Sequence, residues 1–578
     1  MDNCLFEQNL ASISASNSGL EKRLRSADSA ISRCSFCESR SGEIVPAIID
    51  QSGAAHPLHS TIDPRREAER LIASLVNEDG QFSAGFLVIL GLGGGWTAEA
   101  ALKNPNIHRI IIIDYNINIA AELLKKRDYT KIFNDPRCSV LIDPQPDEIK
   151  AFLIDCYIPC LYGAIKILPL RSRTQQDFPL FTTAAQTIEE AVKIVSSDYS
   201  VQAHFGLRWF NNIIRNILTV ESIDNCPRQS NVNQKEFFNK QFREIAICAA
   251  GPSLNIQIQP LAERKQKNRE LIIIAADTSL PALLSGGIRP DAVVSIDCQH
   301  ISYYHFMGLH NLNIPLFMDI ASPPLLARFS STPIFVSSSH PLANYISMNW
   351  RPFGSLDTSG GNVSYACLSL ADALGARRIY VYGADFSYPQ GKVYARGTYI
   401  FPFFERRQNR LNSFEALISA FLYRSPFLKP CGNNNIYETA ALRFYRERFI
   451  EKAESMNADI SVEPGIGAPI QLSRNKGYYT AGQAAHPPWA ADVRTNPHKP
   501  VISAREFLRS YQKTIENLKF RGIGPEMQGM NKADRQVFIT LLPLAAAIKR
   551  QQPELQTHEL FEAAKQYCAR QIEKIVLL

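Results

Sequence analysis

Between residues 244 and 384 the chain repeats one pattern: a short, almost unbroken apolar run that stops at a small or acidic residue. "EIAICAAGPS", "LIIIAADTS", "DAVVSIDCQ", "PLFMDI", "PIFVSS" and "RIYVYGADF" all have this form. Strands without polar alternation are buried on both faces, which requires a parallel sheet covered by helices. The runs predict strands at 244–250, 271–276, 291–297, 315–320, 333–337 and 378–384. Helical spacing fills the intervals, most clearly over 361–374.

A second instance of the pattern lies upstream. In "GFLVILGLGGGWTAEAALKNPNIHRIIIIDYN" a strand over Phe86 to Leu90 meets Gly91, Gly93, Gly94 and Gly95, a helix follows, and another strand closes at Asp114. That order brings backbone N–H groups and a carboxylate to a nucleotide, and it also occurs where the glycines serve packing only. Helical spacing runs from 183 to about 221, broken only by Gly206, and polar residues then place a boundary near 225–240. Beyond 496, Phe507, Leu508, Tyr511, Ile515 and Leu518 share one helical face. The fold class is α/β, with two Rossmann-like domains and a C-terminal helical domain, at 1–225, 240–480 and 496–578.

Composition narrows the function classes. The 62 basic and 55 acidic residues give a net charge of +7 without long same-sign runs, which does not indicate nucleic-acid binding. The first thirty residues lack the apolar core of a secretory signal, and no window approaches the ~18 apolar residues of a spanning helix. The expectation is a cytoplasmic protein without membrane contact. Of the twelve cysteines, Cys248 and Cys367 sit inside apolar segments as small hydrophobes. Cys34 and Cys37 have zinc-type spacing but no second pair close in sequence, and no metal is expected.

In open α/β sheets, ligands sit beyond the carboxyl ends of the strands. The first strand of the second domain ends in Gly251, Pro252 and Ser253, where the serine can cap the helix or donate to a phosphate. The second and third strands end in Asp277 and Asp297, acceptors suited to a ribose or an amino-bearing base. Ser359, Gly360, Gly361 and Asn362 form another small-residue turn before the 361–374 helix. Four such turns on one crevice describe a nucleotide site; taken singly, each is also an ordinary cap.

The segments "AICAAGPSL", "IIIAADTSLPALLSGGIRPDAVVSID" and "TSGGNVSYACLSLADALGARRIYVYGADFSYPQGKVY" resemble the central domain of the bacterial motility-associated factors, the flagellin glycosyltransferases. "LHSTIDPRREAERLI" and the "GLGGG" domain are also similar to that family, so the resemblance covers most of the chain and is weakest after 496. The family's central domain is in turn similar to bacterial sialyltransferases that use CMP-activated sugars. The resemblance implies transfer of a nonulosonic acid, of the pseudaminic or legionaminic kind, from a CMP-activated donor to Ser or Thr of flagellin, with no separate cofactor. It assigns Gly251, Pro252, Ser253, Asp277, Asp297, Ser359 and Gly360 to the CMP moiety. Asp385-Phe386 matches an Asp-Phe pair of the sialyltransferases, and Tyr388 and Tyr394 are the counterparts of two tyrosines on the leaving phosphate.

Two departures stand out. The asparagine before the Gly-Pro-Ser turn of the sialyltransferases is Ala250 here, and no histidine lies between His340 and His486, the stretch that would hold their base. Asp385 is the candidate base, with Glu438 next; the alternative is a carboxylate that caps its turn. Lys392 and Arg396 can meet the sugar carboxylate or the phosphate, or lie on a solvated hairpin. Gly465 and Gly467 either wall the pocket or form a plain turn. Two readings compete: an S-adenosylmethionine-dependent methyltransferase built on Gly91, Gly93, Gly95 and Asp114, and a non-enzymatic, nucleotide-dependent flagellin-binding chaperone.

Overall fold

The computed structural model describes residues 2–14, 17–28, 33–50, 52–75, 84–224, 237–238, 240, 242–309, 312–424, 427–431, 435–473, 500–519 and 530–577. The chain divides into two compact units, Met1–Gly206 with Asn517–Gln566, and Leu207–Glu516 with Tyr567–Leu578. The division falls inside one long helix, Phe178–Asp224. The boundary expected at 225–240 lies mostly outside the described residues. No helix among the described residues is long and apolar enough to cross a membrane.

In the first unit, β1 (Cys34–Glu38), β2 (Ile44–Ile49) and β3 (Ala55–Pro57) form a small antiparallel sheet. The Rossmann-like part has four parallel strands, β4 (Phe86–Leu90), β5 (Arg109–Asp114), β6 (Cys138–Ile142) and β7 (Ile165–Pro169), in the order β6-β5-β4-β7. Every residue of β4 and β5 is buried, as unbroken apolar runs demand. Gly206 has a packing reason for its place in a helix: a Cβ there would stand 1.9 Å from the carbonyl oxygen of Pro543. The C-terminal segment forms helices Ala504–Asn517, Lys532–Gln551 and Thr557–Val576, which are shared between the two units.

The second unit is built on eight parallel strands: β8 (Glu244–Cys248), β9 (Ile272–Ala276), β10 (Ala292–Ser295), β11 (Leu316–Asp319), β12 (Pro333–Ser337), β13 (Gly354–Ser355), β14 (Arg378–Tyr382) and β18 (Asp459–Val462). Their order is β13-β12-β11-β10-β9-β8-β14-β18. All six strands predicted from the apolar runs are present, and the predicted helix is Val363–Ala373. The period of two sorts their side chains between two cores. Ile245, Ile247, Ile272, Ile274 and Val294 pack with Ala366 and Leu370 of that helix. Ala246, Cys248, Ile273, Ala275 and Val293 pack with Leu254, Leu261 and Leu280 on the other face. Each fully buried Ile or Val contributes about 1.5–3 kcal/mol to holding these layers together.

Two strands have no apolar run to announce them. β13 is two residues long, and β18, "DISV" at the sheet edge, alternates polar with apolar residues. Between β14 and β18 the chain also makes a small antiparallel sheet, β15 (Tyr388–Pro389), β16 (Lys429–Pro430) and β17 (Ile436–Glu438). Val393, Ile400, Phe404 and Leu422 form a separate core for this insert, with Tyr388, Tyr394 and Tyr399 packed against it.

Candidate functional site

Strand order reverses at β8, which has β9 on one side and β14 on the other, and a crevice at such a switch point is where an open sheet binds ligands. Here the chain fills that point itself. Asp385, just past β14, is 4% exposed and accepts the Ser253 N–H at 2.7 Å on one oxygen and the Ser253 hydroxyl on the other. The Ser253 oxygen in turn accepts the Ile466 N–H at 2.7 Å. A Cβ on Gly251, Gly465 or Gly467 would stand 2.4 Å from an oxygen of Asp385 or Ser253. Three glycines and a serine therefore close around one carboxylate.

This clasp engages several of the residues singled out in the sequence. Ser253 makes no side-chain cap of its helix, and its hydroxyl is engaged by Asp385 rather than left for a phosphate. Gly251 is needed to pass Asp385 and the Gly383 carbonyl, to which its own N–H donates at 2.8 Å; buried Pro252 lies in the same turn. Both Asp385 oxygens already accept hydrogen bonds, from the Ser253 N–H, the Ser253 hydroxyl and the Gly467 N–H. Burial pushes its pKa up and those donors oppose the shift. Glu438 is 2% exposed and paired with Arg443 and Arg446 at 2.5 and 2.8 Å; burial acts to raise its pKa, and the two arginines bring it below the usual value.

Two further carboxylates lie one and two strands over, at the ends of β9 and β10, and only the second is partly exposed. Asp277 is 1% exposed: one oxygen accepts the Thr278 N–H at 2.6 Å and its hydroxyl at 3.0 Å, and the other accepts the Ser295 hydroxyl at 2.7 Å. Asp297 is partly exposed, and its carboxylate accepts the Gln299 N–H at 2.8 Å. Burial raises its pKa, the Gln299 N–H opposes, and the Asp277 charge adds to the rise. Around this pair stand Thr278, the buried His305, and the partly buried Tyr394, Tyr399 and Tyr445. Burial raises all three phenol pKa values, and the charge of Asp297 pushes in the same direction. Tyr388, also partly buried, adds to the rise at Tyr394. A partly exposed carboxylate beside phenols still protonated at neutral pH offers acceptors to hydroxyls and donors to an oxyanion.

Asn362 caps helix Val363–Ala373: its oxygen accepts the Tyr365 N–H and its amide donates to the Gly360 carbonyl, both at 3.0 Å. Gly360 is buried over the Tyr365 ring. Gly361 is exposed at φ +72°, and a Cβ there would touch the Tyr445 ring at 3.0 Å. Ser359 is exposed, its hydroxyl 3.2 Å from that of Tyr365. Lys392 and Arg396 are exposed on the insert, where Lys392 donates to Gln390 at 3.0 Å and the Arg396 N–H to Asn255 at 2.8 Å. Thr278, His305, Tyr399 and Tyr445 are absent from the sequence-based set. His305 ends "SYYH", ten residues past β10, so reading further beyond each strand end reaches it. Among the described residues no group of three or more His, Cys, Asp or Glu is placed to hold a metal ion.

The glycine turn of the first unit is filled as well. Asp114 is 2% exposed, accepts the Leu92 and Tyr115 N–H groups at 2.6 and 2.7 Å, and pairs with the fully buried Arg173 at 2.9 Å. Cβ atoms on Gly91, Gly93 and Gly95 would stand 2.9, 2.5 and 2.8 Å from Arg173, His59 and Ile132. These glycines admit the chain's own side chains, and the carboxylate that a ribose would need is held by an arginine.

A family model described as 6-hydroxymethylpterin diphosphokinase MptE-like matches residues 212–391, from the second half of the long helix through the β9–β10 strand ends to Asp385, and stops short of Gly465–Gly467. The solved MAf glycosyltransferase from Magnetospirillum magneticum AMB-1 superposes with a TM-score of 0.60 at 15% identity, covering 100% of this chain and 96% of that one. The fold is that of a MAf glycosyltransferase. Two uncharacterized proteins of Treponema pallidum (strain Nichols) are similar to parts of the chain. One is 34% identical over 156 residues, covering 26% of this chain and 66% of that protein. The other is 33% identical over 151 residues, covering 25% and 53%. The match thus spans less than two thirds of either relative. The MAf fold extends over both units described above, including the filled first Rossmann-like sheet.

Proposed function

We propose that this chain is a glycosyltransferase that moves a nonulosonic acid, pseudaminic or legionaminic in type, from a CMP-activated donor to Ser or Thr of flagellin. The observation that carries the reading is the whole-chain likeness to a MAf glycosyltransferase, joined to a crevice of one partly exposed carboxylate and several phenols at the strand ends. In this reading Asp297 accepts the ribose hydroxyls and Gly361 lets the nucleotide approach the start of the 363–373 helix. Departure of CMP from a tertiary anomeric carbon puts negative charge on one phosphate, and Tyr394, with Tyr388 and Tyr399, donates to it as it develops.

The test is a thermal-shift panel on the full chain with CMP, UDP, S-adenosylmethionine and a pterin, because a ligand that binds only the folded state raises the melting temperature. It is followed by the intact mass of flagellin after incubation with a CMP-nonulosonic acid. A CMP shift and a mass gain of one sugar are expected. A shift with S-adenosylmethionine or the pterin and none with CMP overturns the reading. CMP-dependent flagellin binding without mass gain replaces it with the chaperone reading.

A further inference from the structure

The crevice contains a histidine whose proton placement is set by its neighbours. His305 closes the short helix Ser302–His305 after β10, which packs beside Asp277–Ser279. It is 6% exposed, its Nε2 is 3.4 Å from Thr278 Oγ1, and its buried Nδ1 has no hydrogen-bond partner among the described residues. Thr278 has a single hydroxyl proton, and the Asp277 carboxylate 3.0 Å away takes it. Toward His305 the Thr278 oxygen is then left to accept, an arrangement that favours the imidazole proton on Nε2 and the lone pair on Nδ1. Asp277 is fixed in turn by the Ser295 hydroxyl and the Thr278 N–H. A carboxylate that sets a tautomer through a hydrogen-bonded neighbour, leaving the other ring nitrogen basic, is the arrangement of an activated base. The ring of Tyr399 meets the imidazole edge-on at 4.8 Å and shields it from water.

Resting on the glycosyltransferase reading, we propose that His305 is the general base for the acceptor hydroxyl, with Thr278 and Asp277 as the residues that position it. The acceptor oxygen displaces the Tyr399 edge and attacks the anomeric carbon. The new C–O bond forms as the C–O bond to phosphate breaks, and that electron pair leaves on CMP. The hydroxyl proton passes to Nδ1, giving an imidazolium that still donates from Nε2 to Thr278 and is balanced by Asp277 and Asp297; water then takes the proton. This supplies the base that Asp385, enclosed in its clasp, does not.

The test uses His305→Gln and His305→Asn in the full chain. Transfer to flagellin should fall about 10²–10⁴-fold, with the melting temperature and CMP shift kept. Imidazole should restore part of the transfer to His305→Ala. Wild-type transfer with an equally fast His305→Gln overturns the base while leaving the glycosyltransferase reading intact; no wild-type transfer and no CMP shift overturns both. Selective ¹⁵N-histidine NMR reads the tautomer without any activity, and a proton on Nδ1 of His305 overturns the proposal even if both glutamine and asparagine variants fail to fold.

Discussion

Ser253→Ala separates a ligand contact from an internal clasp. The substitution removes the hydroxyl that donates to buried Asp385 and that accepts the Ile466 N–H. A hydrogen bond to a charged, buried acceptor contributes about 1.5–3 kcal/mol net, and an orphaned amide costs about 1–3 kcal/mol, toward the low end here because Ile466 is only partly buried. A loss of about 2–5 kcal/mol is expected, with a Tm shift of about 2–4 °C per kcal/mol for a large domain. Differential scanning fluorimetry of the full chain, with and without CMP, reads both quantities. The clasp predicts a lower Tm and a retained CMP shift. An unchanged Tm with the CMP shift abolished would refute it, because the hydroxyl would then act on the nucleotide and the geometry around Asp385 would not be what holds the turn.

Tyr394→Phe should keep the CMP shift and lower kcat by about 10²–10³-fold, since one donor to a developing oxyanion is worth about that much; equal turnover removes Tyr394 from the leaving group. Asp114→Asn leaves the buried Arg173 with Asp177, at 2.6 Å, as its remaining countercharge and should cost about 1.5–3 kcal/mol in urea unfolding for the lost charged hydrogen bond, and S-adenosylmethionine should protect neither form. Asp319 is 2% exposed with its pKa raised by burial from 3.8 to about 6, so the folded state holds a proton that the unfolded chain releases. Its contribution is therefore fully present below about pH 4 and lost as pH rises toward 6, with a slope of at most about 1.4 kcal/mol per pH unit. Denaturation from pH 4 to 7 should show that decline, and Asp319→Asn should flatten it.

The sheet of the second unit was legible because parallel strands must be apolar on both faces, and short runs such as "IIIAA" each stop at a small or acidic residue before a helical segment, whereas the apolar run of the buried helix Lys532–Gln551 does not. β18 was not, because an edge strand has one open side and its Asp459 and Ser461 break the run. The insert was half legible: its aromatics were visible, but nothing in "YARGTYIFPFF" says that Tyr394 and Tyr399 pack on a separate core while keeping an edge toward Asp297. The clasp was hidden for a different reason. Ser253, Asp385 and Gly467 are far apart in sequence and meet only because strand order reverses at β8, so their pairing is a property of topology and not of any local pattern.

The acids at the strand ends show what decides which of them can meet a ligand. Asp114, Asp277, Asp297 and Asp385 look alike in sequence, each closing or just following a strand at the carboxyl edge where ligands bind. They differ in how many internal donors each has. Asp114 has an arginine and two amides, Asp385 a serine through both its groups and a glycine amide, and Asp277 two hydroxyls and an amide, while Asp297 has, among the described residues, only Gln299, through its backbone and side chain, and remains partly exposed. Burying a carboxylate costs free energy unless its lone pairs are met, so the first three are satisfied by the fold and serve to hold it. Asp297 keeps lone pairs for something outside the chain, and His305, one helix away, keeps one nitrogen on the same terms. In the proposed reading, those two groups, rather than the glycine turns that first draw attention, are where a substrate has the most to offer the protein.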